Sequence, residues 1–294
     1  MVEGKFSASM AYCLIRKLVP ILLLSYLSNF NVLSITDGNY HLLRFGSVTL
    51  GVYRGQQVAI KKLLLQHMLE DIGKEFENEI SLMKNLHHPN IVQFVGASNV
   101  KDNLAIIIEY APLGSVASVM KKHKLSLAMK TTILMETAKA LQFLHANGII
   151  HRDIKPQNIL VFSLEAKSHV HIKLTDFGTA RFISTDPTTI TKNTGTLVYM
   201  APEALGKNPK VTTSTDVYSF AILMWEIVME MAPFEDFEWQ SDIEIHVKSG
   251  KRLELPAKEC PPNMVKLIED CWHSDPDQRP TMTAVVQRLS ALNL

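Results

Sequence analysis

The chain has 294 residues, which is a little long for one average domain, and its hydrophobic fraction of 47% is enough for a substantial core. Its net charge of +1 gives no indication of a nucleic-acid-binding protein. The three cysteines, Cys13, Cys260 and Cys271, are too scattered for a CxxC metal site or a disulfide framework, and this favours a reducing compartment.

An apolar stretch lies near the N-terminus, at residues 18–27 (LVPILLLSYL), directly after Arg16 and Lys17. Its length and the preceding charge are typical of a signal-peptide core. A membrane span needs about 20 apolar residues, and serines and asparagines interrupt the stretch. A helix or loop packed on the following domain, or a poorly ordered leader, is the third interpretation. All three stay open, so a membrane tether through residues 18–35 is an alternative to a cytoplasmic protein.

Three elements are predicted in the next part of the chain. Residues 58–61 (VAIK) have the alternation of a strand. Residues 68–86 predict a helix, because apolar side chains recur on one stripe: Ile72, Phe76, Ile80 and Met83. Residues 104–109 (LAIIIE) predict a short buried strand. A long amphipathic helix is then predicted at residues 127–146, ended by the cap pair Asn147-Gly148.

The segment at residues 151–158 (HRDIKPQN) concentrates chemically active side chains. Pro156 cannot continue a helix, so the segment is predicted to be a shaped loop. Such a loop can present Asp153 to a hydroxyl, Lys155 to an anion and Asn158 to a metal.

A second carboxylate, Asp176, follows the alternating run from His171 to Leu174 and so lies at the mouth of a predicted strand. Two acids, a lysine and an amide oxygen suit the transfer of a phosphoryl group held by Mg²⁺.

Four segments occur in a fixed order: VAIK at 58–61, HRDIKPQN at 151–158, DFG at 176–178 and APE at 201–203. Their order and spacing resemble those of a protein kinase. Four short strings in order make chance agreement negligible. The resemblance covers about residues 40 to 292, and its details are similar to the tyrosine-kinase-like group of serine/threonine kinases.

The resemblance implies an α+β fold of the bilobal protein kinase type, with a small antiparallel β lobe carrying one helix and a larger, mainly α lobe. Residues 1–39 are then an N-terminal extension outside the kinase pattern, and residues 40–294 are the kinase domain. The small lobe is expected at about residues 40–110 and the large lobe at about residues 111–294.

The resemblance also implies the catalytic roles. Asp153 would orient and deprotonate the substrate hydroxyl, and Lys155 would stabilise charge on the transferring phosphoryl group. Lys61 would reach the α- and β-phosphates and form an ion pair with Glu79, which stands where the family's helix glutamate belongs.

ATP and Mg²⁺ are the implied cofactors, and Asn158 and Asp176 are the implied metal ligands. Ile108 would be the gatekeeper behind the adenine, whose edge would bond to backbone groups of Glu109 and Ala111. The nucleotide-binding residues implied in this way are Gly46, Val52, Ala59, Lys61, Ile108, Glu109, Ala111 and Leu160.

The glycine-rich hairpin of the family falls on residues 45–55, and its pattern is damaged. Without a gap, none of the three glycine positions holds a glycine. With one residue deleted before Val52, Gly46 and Gly51 take the first and third positions and Val48 takes the second. A bulky side chain at the turn would hold the backbone away from the phosphates.

The substrate class is indicated by Lys155, because tyrosine kinases usually carry an arginine-bearing variant of this loop. Thr196 agrees, since it stands where serine/threonine kinases bond Asp153 and Lys155. Dual specificity stays open. Phosphorylation between Gly178 and Thr196 would order this segment, because Arg152 offers a guanidinium to a phosphate. Threonines at positions 188, 189 and 191 are the favoured sites, because they are distant from both ends of the segment.

Three further contacts are implied by the family pattern. Asp216 would pin the backbone of the catalytic loop, His151 would pack under Phe177, and Glu203 would pair with Arg279.

The leading hypothesis is an ATP- and Mg²⁺-dependent kinase in cytoplasmic signalling, acting on serine and threonine hydroxyls of protein substrates and not on nucleic acid. The alternative is a pseudokinase scaffold, which the damaged glycine hairpin supports. A membrane-tethered receptor fragment is a third hypothesis, and it requires residues 18–35 to insert into a bilayer.

Overall fold

The computed structural model describes residues 32–35, 41–43, 46–63, 69–100, 103–183, 195–206, 208–255 and 260–292. The chain divides into two compact units. The first comprises residues 1–80 and 93–110, and the second comprises residues 81–92 and 111–294.

The first unit is built on an antiparallel, six-stranded sheet with the order β1-β3-β4-β6-β5, in which β2 also pairs with β3. Its strands are β1 (Val32–Ile35), β2 (His41–Leu43), β3 (Gly46–Tyr53), β4 (Gln56–Leu63), β5 (Phe94–Val100) and β6 (Asn103–Glu109). Strand β1 comes from the stretch 1–39 that was left outside the kinase pattern, so the sheet begins before residue 40.

Alternation along β4 and β6 builds the core of this sheet, because successive side chains of a strand point to opposite faces. Val58 and Ile60 of β4 pack with Ala105 and Ile107 of β6. Among the described residues of the sheet region, one helix is present, α1 (Leu69–Asn85), within one residue at each end of the predicted helix. Its residues 81–85 group with the second unit.

Gly51 lies inside strand β3, opposite Val58 of β4. A Cβ atom at this position would lie 2.7 Å from Cδ1 of Ile60. The glycine therefore leaves room for a core isoleucine, and Gly46 to Tyr53 form one continuous paired strand.

The second unit is mainly helical. Its helices are α2 (Val116–Lys122), α3 (Leu127–Ala146), α4 (Thr213–Met229), α5 (Gln240–Lys248), α6 (Pro262–Cys271) and α7 (Met282–Ser290). Helix α3 has the predicted bounds, and the side chain of Ser126 accepts the N–H of Met129 at its N-terminus.

Helix α4 packs against α3 and α6, and α7 packs against α3. Helix α4 is mostly apolar and is buried on most of its circumference, as expected of a helix inside a core. Thirteen of its 17 residues are buried, including the polar residues Asp216 and Ser219.

Two short antiparallel strand pairs lie between α3 and α4 in the sequence. Strand β7 (Ile149–Ile150) pairs with β10 (Arg181–Phe182), and β8 (Ile159–Val161) pairs with β9 (Ile172–Leu174). All four strands are antiparallel in these pairs and carry the loops that hold the predicted site residues.

The predicted fold class is confirmed: one unit is an antiparallel β-sheet with one helix, and the other is mainly α. Among the described helices, none has the length and apolar character needed to cross a bilayer. Residues 18–31 of the possible tether lie outside the described residues, and Val32–Ile35 form strand β1.

The predicted pair of Glu203 and Arg279 is present as a two-pronged contact, with nitrogen–oxygen distances of 2.6 and 2.8 Å. Arg279 also donates to the carbonyl oxygens of Ser214 and His273, and its guanidinium lies 5.1 Å from the ring centre of Tyr218. Its side chain is 0% exposed. This guanidinium therefore joins three chain segments: that of Glu203, helix α4 and that of His273.

Replacing Arg279 by alanine is expected to lower the free energy of unfolding by about 3–5 kcal/mol, because the Glu203 carboxylate is left without its partner. Urea denaturation measures the change. The matched control is Arg288→Ala, which removes a half-exposed pair with Asp270 and should cost less than about 1 kcal/mol. Equal losses in the two variants would contradict the role assigned to Arg279.

Candidate active site

The first unit brings together Lys61 and Glu79. Lys61 lies on β4 opposite Ile106, and its Nζ atom is 3.0 and 3.4 Å from the two carboxylate oxygens of Glu79 on helix α1. The Glu79 side chain is 6% exposed and that of Lys61 is 18% exposed. The predicted ion pair is thus present, while its role toward a phosphate stays a prediction.

Other predicted nucleotide residues of this unit lie on neighbouring strands. Ala59 is paired with Ile108, both are buried, and Val52 lies on β3 with Gly46. The backbone N–H of Glu109 donates to the carbonyl oxygen of Gln93 at 3.1 Å. Any bond from Glu109 to an adenine would therefore use its carbonyl oxygen.

Asp153 in the second unit is the centre of a compact network. One carboxylate oxygen accepts the hydroxyl of Thr196 at 2.8 Å. The other accepts Nζ of Lys155 at 2.6 Å and the amide of Asn158 at 2.9 Å. Lys155 also donates to the Thr196 hydroxyl oxygen at 2.8 Å, as predicted. Three side chains from two chain segments therefore fix the carboxylate of Asp153, a residue that is 7% exposed.

Asn158 and Asp176 lie at the same end of the β8–β9 hairpin. Ile159 is paired with Leu174, and the N–H of Thr175 donates to the carbonyl oxygen of Asn158 at 2.9 Å. The amide nitrogen of Asn158 donates to both a backbone and a side-chain oxygen of Asp153. The group of Asn158 left for a cation is therefore its amide oxygen.

The chemistry of these donors fits Mg²⁺, which prefers oxygen ligands and is commonly held by one or two carboxylates together with substrate phosphates. Asn158 and Asp176 offer an amide oxygen and a carboxylate from adjacent positions of one hairpin. Within the described residues, no group of three or more His, Cys, Asp or Glu side chains is placed to hold a metal. A cation here would need the phosphates of a nucleotide to complete its shell.

The loop backbone at the site is held in an uncommon conformation. Arg152 and Asp176 have φ angles of 72° and 67°, in the left-handed region. Such angles cost about 1–3 kcal/mol for residues other than glycine and persist where surrounding contacts enforce them. Gly195 approaches this backbone so closely that a Cβ atom would lie 2.6 Å from the carbonyl oxygen of Arg152.

The contacts that enforce the loop come from Asp216 at the start of α4. Its carboxylate accepts the backbone N–H groups of His151 and Arg152, each at 2.8 Å, and lies 3.0 Å from Nε2 of His145. Burial acts to raise the pKa of the Asp216 carboxyl, but the hydrogen bond and charge of His145, with the contacts of His151, hold it below its ordinary value of 3.8. The predicted packing of His151 on Phe177 is present, with ring centres 5.2 Å apart.

Helix α3 carries a buried carboxylate, that of Glu136, which no sequence motif indicates. Glu136 accepts the backbone N–H groups of His171 and Ile172, Nδ2 of Asn90 and the ring nitrogen Nδ1 of His171, all at 2.9 Å. Asn90 also donates to the carbonyl oxygen of Ile172 and accepts the N–H of Leu174 through its backbone oxygen. This cluster fixes strand β9, which leads to Asp176.

A second missed contact fixes the segment that carries Thr196. The hydroxyl of Tyr199 donates to Glu226 of α4 at 2.6 Å, and the hydroxyl of Ser219 donates to the carbonyl oxygen of Tyr199 at 2.8 Å. Burial raises the pKa of both Tyr199 and Glu226. No sequence pattern links Tyr199 to Glu226, so this pair could not be identified from the sequence.

The predicted site residues fall in both units. Gly46, Val52, Ala59, Lys61, Glu79, Ile108 and Glu109 belong to the first, and Ala111, Asp153, Lys155, Asn158, Leu160 and Asp176 belong to the second. Ala111 is buried, and Leu160 lies on β8. The threonines at positions 188, 189 and 191 lie outside the described residues.

A family model described as protein tyrosine and serine/threonine kinase matches residues 43–289. A putative serine/threonine-protein kinase/receptor of Acanthamoeba polyphaga mimivirus is 38% identical over 249 residues, which are 83% of this chain and 15% of the relative. The probable serine/threonine-protein kinase drkB of Dictyostelium discoideum is 36% identical over 252 residues, 84% of this chain and 35% of the relative.

The serine/threonine-protein kinase STY17 of Arabidopsis thaliana is 34% identical over 251 residues, which cover 84% of this chain and 42% of that protein. The chain thus spans 15 to 42% of the length of these three relatives. The family match begins after strand β1 and includes residues of both units.

Asp216→Asn is expected to lower the free energy of unfolding at neutral pH by about 1–3 kcal/mol, because a neutral amide satisfies the three donors less well. A carboxyl whose pKa is lowered on folding contributes stability above its unfolded value, and that contribution is lost as the pH falls below 3.8. The difference between the wild-type and variant proteins should therefore shrink in acid. Urea denaturation across the acid range measures it, and a constant difference would contradict the assignment.

Glu136→Gln is expected to lower the free energy of unfolding by about 1–3 kcal/mol, because one amide oxygen cannot accept all the donors that Glu136 now satisfies. Glu165→Gln is the matched control, since Glu165 is exposed and its replacement should change stability by less than about 0.5 kcal/mol. Hydrogen exchange at Ile172 and Leu174 should become faster in the Glu136 variant alone. Unchanged exchange there would contradict the anchoring of β9.

Proposed function

Because this chain belongs to the family of protein tyrosine and serine/threonine kinases, we propose that it transfers the γ-phosphoryl group of ATP to serine and threonine hydroxyls of protein substrates, with Mg²⁺ as the divalent metal. The single observation that carries this proposal is the network of Asp153, Lys155, Thr196 and Asn158. It holds a carboxylate, a lysine ammonium, a threonine hydroxyl and the amide nitrogen of Asn158 within hydrogen-bonding distance of one another.

In this proposal Asp153 accepts the proton of the substrate hydroxyl. Its carboxylate is held by three side chains, so it needs no reorganisation when the hydroxyl arrives. Lys155 is 2.6 Å from the same carboxylate and would balance the charge on the phosphoryl oxygens. General acid–base catalysis by one positioned group typically contributes about 10²–10⁴-fold in rate.

The nucleotide-binding roles in this proposal are those that the kinase family implies for the residues present. Lys61, oriented by Glu79, would bind the α- and β-phosphates, and Asn158 and Asp176 would hold the metal. When bound, Mg²⁺ neutralises phosphate charge and orients the transferring group. Adenine would be bound through the backbone of Glu109 and Ala111, beside Ile108, Val52, Ala59 and Leu160.

Serine and threonine are the proposed acceptors for two reasons. Thr196 bridges Asp153 and Lys155 in the manner expected for serine/threonine kinases. The three relatives described above also carry names of serine/threonine-protein kinases. A place in signalling follows from protein phosphorylation and belongs to the same proposal.

The pseudokinase alternative gains no support from the relatives, whose names are those of kinases. Its one argument is the damaged glycine hairpin, and residues 46–53 do form a continuous strand. A lysine and a metal can still neutralise the phosphate charge. A damaged hairpin would therefore lower the affinity for nucleotide before it abolished phosphoryl transfer.

Asp153→Asn is expected to lower the transfer of labelled phosphate from ATP to casein by at least about 10²-fold, because the variant lacks a proton acceptor. Affinity for a fluorescent ATP analogue should change little. Asp277→Asn, at an exposed position of the same unit, is the matched control and should keep wild-type activity. Chelation with EDTA should abolish transfer, and added Mg²⁺ should restore it.

Transfer that survives Asp153→Asn would overturn the assignment of the base. Nucleotide binding without any transfer by the wild-type protein would favour the pseudokinase. Phosphotyrosine as the main product on a mixed substrate would overturn the proposed acceptor class.

A further inference from the structure

A run of basic side chains lies at the corner between helices α2 and α3. Residues 121–124 (KKHK) are all exposed. No aspartate or glutamate occurs from Tyr110 to Met135, a span that carries four lysines. The whole chain has a net charge of only +1, so the corner is a local concentration of positive charge.

The corner has an ordered backbone. Helix α2 ends at Lys122, and the N–H of His123 donates to the carbonyl oxygen of Val119 at 2.8 Å. Leu125 is buried, and the side chain of Ser126 caps the start of α3. The basic side chains therefore extend from a fixed backbone, and their docking on a ligand would cost little backbone entropy.

The lysines of the corner have no carboxylate partner in the described part of the chain, because the ion pairs there use other cations. Cations in the last turn of α2 offset the helix dipole, and this accounts for Lys121 and Lys122. It does not account for His123 and Lys124, which lie beyond the helix. Folding therefore leaves these charges available to a ligand.

The composition of the corner indicates the class of ligand. Its cations are lysines and one histidine, and a lysine ammonium is a point charge that lacks the planar fork of a guanidinium. Binding of a defined phosphorylated or acidic peptide favours that fork. Single-stranded nucleic acid favours aromatic rings on which bases stack, and residues 111–142 contain no Phe, Tyr or Trp. Lysines alone suit a diffuse negative surface.

An exposed apolar side chain lies near the lysines in the sequence. Leu127, the first residue of α3, is 37% exposed and follows Lys124 by three positions. Basic residues with neighbouring apolar groups are typical of protein surfaces that rest on an anionic bilayer, with the cations at the headgroups and the apolar groups at the acyl boundary.

We propose that Lys121, Lys122, His123, Lys124 and Leu127, here called the basic corner, dock on an anionic phospholipid surface. The ammonium groups would neutralise headgroup charge, and Leu127 would enter the interface. Each lysine near such a surface strengthens binding about fivefold, so three lysines contribute a factor of about 100. Binding of this kind is reversible and does not require a segment that crosses the bilayer.

The basic corner contains none of the residues assigned to phosphoryl transfer or to nucleotide binding. Docking on a membrane would therefore place the second unit near membrane-bound substrates without changing the chemistry at Asp153. The proposal does not rest on kinase activity, because binding can be measured in the absence of ATP.

Co-sedimentation of the full chain with lipid vesicles tests the proposal. One set of vesicles is phosphatidylcholine alone, and the other contains about one third phosphatidylserine. An apolar anchor elsewhere in the chain would bind both sets, so the ratio of the two partition coefficients isolates the effect of charge. The wild-type ratio should be about 100 at low salt and should fall as salt is added, because exposed charges are screened.

The triple variant Lys121→Gln, Lys122→Gln, Lys124→Gln should partition about 100-fold more weakly onto the phosphatidylserine vesicles. Leu127→Gln should weaken binding to the same vesicles several-fold, because it removes the apolar contact. Both variants should keep the wild-type urea midpoint, since all four side chains are exposed.

The matched control removes three exposed lysines elsewhere in the second unit, so that the net charge changes by the same amount: Lys167→Gln, Lys210→Gln, Lys251→Gln. Its partition onto both sets of vesicles should equal that of the wild-type protein. Phosphatidylglycerol in place of phosphatidylserine should give the same wild-type partition, because lysines bind by charge and not by headgroup geometry.

Equal partition of the wild-type protein onto the two sets of vesicles would overturn the proposal. Equal losses in the two triple variants would do the same, since binding would then follow net charge and not the basic corner. If a polyglutamate peptide or an RNA oligonucleotide binds the basic corner more tightly than the phosphatidylserine vesicles, the surface belongs to an acidic protein or to nucleic acid, and docking on lipid is wrong.

Discussion

The geometry of the catalytic loop depends on one buried carboxylate, that of Asp216. It accepts two consecutive backbone N–H groups of the loop and contacts His145, and it is 0% exposed. These bonds hold Arg152 in the left-handed region, from which the chain turns to present Asp153. Because α4 is buried on most of its circumference, the carboxylate cannot shift without disturbing the core of the second unit. The position of the proposed base is thus determined by a helix that starts 60 residues later in the sequence.

Two further acids hold neighbouring chain segments in the described part of the second unit. Glu136 of α3 fixes β9, and Glu226 of α4 fixes the segment of Tyr199, just as Asp216 fixes the catalytic loop. The number of donors distinguishes them. Asp216 accepts several, and its pKa is lowered despite burial, whereas the one tyrosine donor of Glu226 does not outweigh burial and the pKa is raised. A buried acid that accepts backbone N–H groups therefore holds a loop in place while it is charged. Those hydrogen bonds offset the cost of burying the charge.

Elements set by local chemistry were predictable from the sequence, and elements set by distant contacts were not. The helix at 127–146 follows from its periodicity and cap, and its bounds agree with the prediction. Asp216 and Thr196 were identified through motif position, and their contacts are present. Glu136 was not, since an acid on a helix is normally exposed and its partners are backbone groups 35 and 36 residues away that have no sequence signature. The pairing of β1 was missed because it lies beyond the motifs.

The glycine hairpin shows how one residue can satisfy a motif for an unrelated reason. A side chain at position 51 would meet the Cδ1 methyl of Ile60, so close packing in the sheet accounts for this glycine. In the proposed function, phosphate charge would be neutralised by Lys61, whose ammonium pairs with the nearly buried Glu79. A lysine held in this way contributes a point charge but few directional bonds, and nucleotide affinity would depend strongly on the metal.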